Sequence, residues 1–267
     1  MNGVNISMPK TYVFSIAIEE YAFLPKLPNA VNDSNGIIKT LFDKYKIDDV
    51  WQLENDNVAS NTIKDSFSKI KAILKPEDSL LIIYNGHGTI KGKGETAYWQ
   101  FHDSKERDEN TWYKCSDFFD EMTELDVAHI ALFVNSCFSG NLFHQDGFNA
   151  SKYDEGKGKK TRALFTAGLR NEATIDKYDS NKNSPFASAF IEVLSNNKDQ
   201  HELYLLNIVS YIYSQFNKNE YGSMPRYGTF KGRKPDCRLC SPLVPHLIVN
   251  ELADTLMFIT FECSSQI

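Results

Sequence analysis

Residues 79–88 read SLLIIYNGHG. The unbroken apolar run Leu80–Tyr84 has no polar face, so it suits a strand covered on both sides, as in a parallel sheet, and Asn85-Gly86 reads as its end. Residues 129–140, HIALFVNSCFSG, repeat the pattern fifty positions downstream, with a buried run followed by a glycine-containing turn. One run leads into His87 and the other into Cys137. In open α/β sheets such strand ends share one rim and face one crevice. If the two strands are neighbours, an imidazole and a thiol meet there.

The surrounding chain supports that frame. Tyr12–Ile18 is a short β-rich apolar run, and Asn32–Lys44 opens with cap-type residues before helix-spaced Ile37, Leu41 and Phe42. Asp49–Leu53 reads as a strand, and Thr62–Leu74 as a helix with Ile63, Phe67, Ile70 and Leu74 on one face. Within the polar segment after His87, AYWQF (97–101) reads as a hairpin strand outside the main sheet. A helix over Ser116–Thr123, a strand over Arg162–Ala167, and helices over Pro185–Ser195 and Leu203–Asn217 follow, with a last β-like run at Leu256–Phe261. Strands alternating with helices predict an α/β fold, a mainly parallel β-sheet flanked by helices.

At 267 residues and 42% hydrophobic content, one domain over 1–267 is expected. Its larger part, 10–145, carries both His87 and Cys137. A mobile loop over 146–161, rich in Gly, Asn and Lys, leads to a smaller part, 162–230, and an atypical tail, 231–267. The net charge of -6 argues against nucleic acid as a partner, because phosphate binders usually carry a basic face. No run is long and apolar enough to span a bilayer, and the start lacks a basic-then-apolar secretory pattern, so no membrane partner and a cytoplasmic location are expected. Five cysteines, odd in number and unevenly spread, fit reduced thiols.

A thiol is only partly ionised at neutral pH, whereas a nearby imidazole can take its proton and later protonate a leaving amine. An isolated cysteine at a strand end is more often structural. The conjunction of two buried strands, one ending in His and the other in Cys, favours chemistry. Gly86, Gly88 and Gly140 would let the backbone turn tightly and a substrate approach closely. The backbone N–H groups of Gly88 and Cys137 are then candidates to stabilise an oxyanion.

At YNGHG and NSCFSG the sequence resembles the caspase-like cysteine peptidases, and among them the metacaspases. The likeness extends over about residues 12–230 and takes in PNAVNDSNGIIKTL, TRALFTAG, SPFASAFIEVL and PRYGTF. In caspases the histidine lies about 50 residues upstream of the cysteine. The resemblance implies a caspase-haemoglobinase fold and a cysteine endopeptidase with His87 and Cys137 as catalytic dyad. It also implies that no cofactor takes part in the chemical step and that the partners are protein or peptide substrates of a monomer. It implies that Asp33 lines a pocket selecting Lys or Arg before the cleaved bond, where a carboxylate can pair with the incoming cation. The second acidic wall of that pocket is usually aspartate two residues before the cysteine; here it is Asn135, which weakens or retunes the pocket toward a neutral residue. Asp33 also reads as a helix N-terminal carboxylate, and the two roles are compatible. Aspartate specificity is disfavoured, because the chain lacks the Gln-Ala-Cys-Arg-Gly motif of caspases proper.

Three further features carry expectations. Ser151–Arg162, SKYDEGKGKKTR, is by default a solvated basic loop; the sharper reading is self-cleavage after Lys152, Lys157, Lys159 or Lys160. The family link suggests Ca²⁺ activation, for which the acidic stretch Asp103–Glu109 is a candidate, although its spacing resembles no EF-hand. Cys237 and Cys240 form a lone CxxC with His246 as a speculative third ligand, so no metal site is assigned. Two alternatives stay open: a catalytically silent caspase-like binding module, and a caspase-related peptidase of other specificity, such as cutting after asparagine or serving in bacterial defence or cell death.

Overall fold

The computed structural model describes residues 8–92, 96–144, 161–168, 183–197, 203–219, 223–229 and 258–259. In chain order the elements are β1 (Thr11–Ala17), α1 (Ala30–Lys44), β2 (Asp49–Glu54), α2 (Ser60–Ile73) and β3 (Ser79–Asn85). Next come β4 (His87–Lys91), β5 (Thr96–Gln100), β6 (Trp112–Lys114), α3 (Cys115–Thr123) and β7 (His129–Asn135). The remainder is β8 (Thr161–Thr166), α4 (Pro185–Ser195), β9 (Leu203–Tyr204), α5 (Leu205–Asn219), β10 (Arg226–Thr229) and β11 (Phe258–Ile259).

Six strands form the main sheet in the order β10-β8-β7-β3-β1-β2, parallel except for β10, which pairs antiparallel with β8. Because side chains alternate along each strand, the apolar runs serve two cores at once. Tyr12, Phe14, Leu80, Ile82, Leu132 and Leu164 meet α2 (Ile63, Phe67, Ile70) and α3 (Phe118, Met122) on one face. Val13, Leu81, Ile83, Phe133 and Phe165 meet α1 (Ile37, Leu41), α4 (Phe186, Phe190) and α5 (Ile208, Ile212, Phe216) on the other.

A separate antiparallel sheet, β4-β5-β6, packs at the exit of β3. Trp99 of β5 stacks on Tyr84 with ring centroids 3.9 Å apart and meets Phe118 edge-on at 4.7 Å, burying three aromatic rings together. That contact ties the small sheet to the end of a central strand.

AYWQF thus lies outside the main sheet as expected. Two readings need correction. Arg162 is not part of an exposed basic loop: it sits in β8, 7% exposed, and its terminal nitrogens donate to the carbonyls of Thr161, Ala128, Leu125 and Val127. The segment Leu203–Asn217 begins as the two-residue strand β9, and the helix starts at Leu205. Within the β-like run near the end, the described residues Phe258–Ile259 form β11, which pairs with β9. Residues 145–160, which hold Lys152, Lys157, Lys159 and Lys160, and Cys237, Cys240 and His246 lie outside the described residues.

Candidate active site

β3 and β7 are parallel neighbours with Asn85 opposite Asn135, so the two strand ends do share one rim. The exit from β3 is not a turn, however. After a bend at Gly86 the chain enters β4 at once, and His87 is its first residue, opposite Gln100. Ladder bonds with β5 replace the expected Gly-rich turn, because residues 96–100 offer a free antiparallel edge.

His87 is held from several sides. Its backbone N–H donates to the Tyr21 hydroxyl and its carbonyl accepts from the Tyr84 hydroxyl, each at 2.8 Å, while the Tyr21 ring lies 4.6 Å from the imidazole. Ring Nε2 is 2.8 Å from the Pro25 carbonyl oxygen. A carbonyl only accepts, so Nε2 carries the proton and Nδ1 keeps the lone pair. Burial lowers the His87 pKa below the ordinary 6.5, partly offset by the bond to Pro25. The ring is therefore a neutral base at physiological pH.

Cys137 is half-buried and outside any disulfide. Directly after it Phe138 has φ 57°, a left-handed conformation that costs a bulky residue about 1–2 kcal/mol. The chain thus bends sharply at the thiol before the 3₁₀ turn Ser139–His144. A Cβ on Gly88 would lie 2.5 Å from the Cys137 carbonyl oxygen, so only glycine lets β4 pass this close to the cysteine backbone. His87 and Cys137 line one crevice with Leu27, Ala30, Asn85, Gly86 and Asn135. Cys115, by contrast, is fully buried, and burial pushes its thiol pKa well up, which makes it inert.

Asp33 departs from expectation. It lies in the first turn of α1, as its helix-end reading foresaw, but it is 0% exposed and absent from the crevice lining. Its Oδ1 accepts the Ser184 N–H at 2.8 Å, and its Oδ2 accepts Asn135 Nδ2 at 3.0 Å. The same Nδ2 donates to the Ser184 hydroxyl, also at 3.0 Å. An aspartate at 135 could not donate at all, so Asn135 is what lets Asp33 turn inward.

Asn85 and Ser184 were not singled out as site residues. Asn85 stands in the strand-end position equivalent to Asn135, and Ser184 precedes a proline, a helix-start signal that its bond from the Ala187 N–H bears out. Those local cues were present, but their convergence on Asp33 was not. In the stretch Asp103–Glu109, Glu109 pairs with Lys91 at 2.6 Å and Asp108 accepts from Asn110. Among the described residues no group of three or more His, Cys, Asp or Glu could hold a metal ion.

Among solved structures, this fold is similar to a protein of Geobacter sulfurreducens, at TM-score 0.59 and 14% identity over 85% of this chain and 96% of that one. It is also similar to caspase-1 from Spodoptera frugiperda, at TM-score 0.60 and 12% identity over 83% and 89%. Identities this low speak to the fold. A search of the curated proteins finds no match. The family model of the caspase domain matches residues 11–233, and the chain therefore belongs to the caspase domain family of cysteine peptidases.

Proposed function

We propose that this chain is a cysteine endopeptidase in which Cys137 is the nucleophile and His87 moves the protons. The observation that carries it is the seating of His87: Nε2 committed to Pro25 leaves Nδ1 as a neutral base on the crevice that Cys137 also lines. Nδ1 accepts the Sγ proton as Sγ bonds to the scissile carbonyl carbon, and the carbonyl π pair moves onto oxygen. The N–H groups of Gly88 and Cys137 are the candidate donors to that oxyanion, a role that the close approach of Gly88 to the Cys137 backbone supports. Collapse breaks the C–N bond, and the amine leaves with the proton held on His87. Water then attacks the thioester, giving its proton to Nδ1, and the acid product departs as the thiol is restored.

Peptides and proteins are the substrates, and the net charge of -6 disfavours nucleic acid. A reduced cytoplasmic setting would preserve the thiol. Selection of Lys or Arg, as in metacaspases, would need Asp33 to face the substrate, and its burial behind Asn135 supplies no such support. Self-processing after Lys152, Lys157, Lys159 or Lys160 depends on that same specificity. Cleavage of a randomised peptide library by wild type, Cys137→Ala and His87→Ala tests the dyad. Activity surviving in Cys137→Ala would refute it.

A further inference from the structure

We infer that the crevice beside Cys137 receives a short uncharged side chain ending in an amide, asparagine ahead of glutamine, and that Asn135 is the residue that turns away Lys and Arg. This deepens the peptidase reading and rests on it for which bond is cut.

The orientation of Asn135 comes first. Its Nδ2 is committed to Asp33 Oδ2 and Ser184 Oγ. Flipping the amide would set its oxygen against a carboxylate, acceptor to acceptor, so Asp33 fixes which way it points. An amide's nitrogen and oxygen diverge from one trigonal carbon, and Oδ1 therefore faces away from Asp33, toward the crevice that Asn135 lines.

Asn85 supplies the second acceptor. It stands opposite Asn135 in the strand register, lines the same crevice and is 1% exposed. Its Nδ2 bonds to Ser34 Oγ at 2.7 Å, whereas its Oδ1 is buried with no hydrogen-bond partner among the described residues. Native proteins rarely leave a buried carbonyl unmatched, since the omission is costly. Amide oxygens on paired strand-end residues of one crevice suit a donor with two hydrogens, which is what a primary amide offers.

Charge selects against the basic side chains. Apart from His87, which burial keeps neutral, the lining has no titratable group except the Cys137 thiol itself. Among the described residues, the carboxylate behind Asn135, Asp33, has both oxygens engaged and no exposed surface. An ammonium or guanidinium entering here would lose its water without reaching a counterion among the described residues.

The test is calorimetric binding of hexapeptides to the Cys137→Ala protein, which cannot cut them. The peptides differ only at the residue before the intended bond: Asn, Gln, Leu, Lys or Arg. Asn is expected to bind at least about tenfold tighter than Leu, Lys or Arg, a loss expected when buried acceptors go unmatched. Adding Asn135→Asp should reverse the order in favour of Lys, with circular dichroism verifying its fold; adding Asn85→Ala should erase the preference for Asn over Leu. Equal binding across the peptides, no measurable binding, or Lys and Arg binding tighter than Asn overturns the inference. The expected binding order combined with no cysteine-dependent cleavage by wild type would sink the peptidase reading and leave the pocket assignment standing.

Discussion

The two ends of the central strand β3 both carry buried polar residues, but they are tied down differently. At the entry, Asp78 is 1% exposed, and its two carboxylate oxygens accept the backbone N–H groups of Lys10 and Lys75, each at 2.8 Å. Its carbonyl accepts from Ala128 and His129 in the segment leading into β7. Arg162, at the entry of β8, does the converse and donates to four backbone carbonyls; burial lowers its pKa to about 10, so it stays charged at neutral pH. At the exit, side chains bond mainly to side chains: Asn85 to Ser34, and Asn135 to Asp33 and Ser184. Bonds to backbone staple loops whatever their side chains are. Bonds between side chains can be re-sorted by one substitution, which makes the exit the end where specificity can change.

This contrast makes predictions that can break it. The largest effect is expected from Cys137→Ala at the exit: a loss of about 10⁴-fold or more in kcat/KM with the melting temperature nearly unchanged. Residual turnover within tenfold of wild type would remove the site from this rim. Asp78→Ala at the entry should do the reverse. It removes the acceptor of two part-buried backbone N–H groups, so urea unfolding should show a loss of about 1–3 kcal/mol while kcat/KM per folded molecule holds. An unchanged midpoint would show that the entry is no staple.

Smaller effects sharpen the picture. Gly88→Ala places a Cβ 2.5 Å from the Cys137 carbonyl oxygen and should cost about 10²-fold in kcat/KM by displacing the cysteine, with less loss of stability than Asp78→Ala. Full activity would mean that this approach is not needed. The pH profile comes last. Because burial lowers the His87 pKa, the acid limb of kcat/KM should fall below the ordinary value of 6.5, and a limb above 7 would contradict a neutral, desolvated base. His129 is lowered too, by burial and then by Arg162. The unfolded chain takes up these protons near 6.5 while the fold resists them, so stability should be level above 6.5 and decline as pH drops below it. Stability rising on acidification would reverse that sign.

Much of this was legible from the chain because it depends on local pattern. The runs at β7 and α4 read correctly to the residue, since a fully apolar strand and a Ser-Pro helix start are unambiguous over a few positions. The step from β3 to β4 was not: Gly86-His87-Gly88 has turn composition, and only pairing with residues 96–100 makes it a strand. β10 was missed as a strand because four residues containing a glycine carry little periodicity, and it exists by pairing with β8.

For the site, residue types and spacing determined that an imidazole and a thiol follow two buried parallel strands, because strand ends of one sheet share a rim. The register that sets Asn85 against Asn135, the Pro25 carbonyl that assigns the imidazole proton, and the inward turn of Asp33 were decided only in three dimensions. Each depends on partners far apart in the chain; Asp33 and Ser184 are separated by 151 residues. A carboxylate's role depends on whether water, substrate or a neighbouring amide reaches it first, and that is a property of packing.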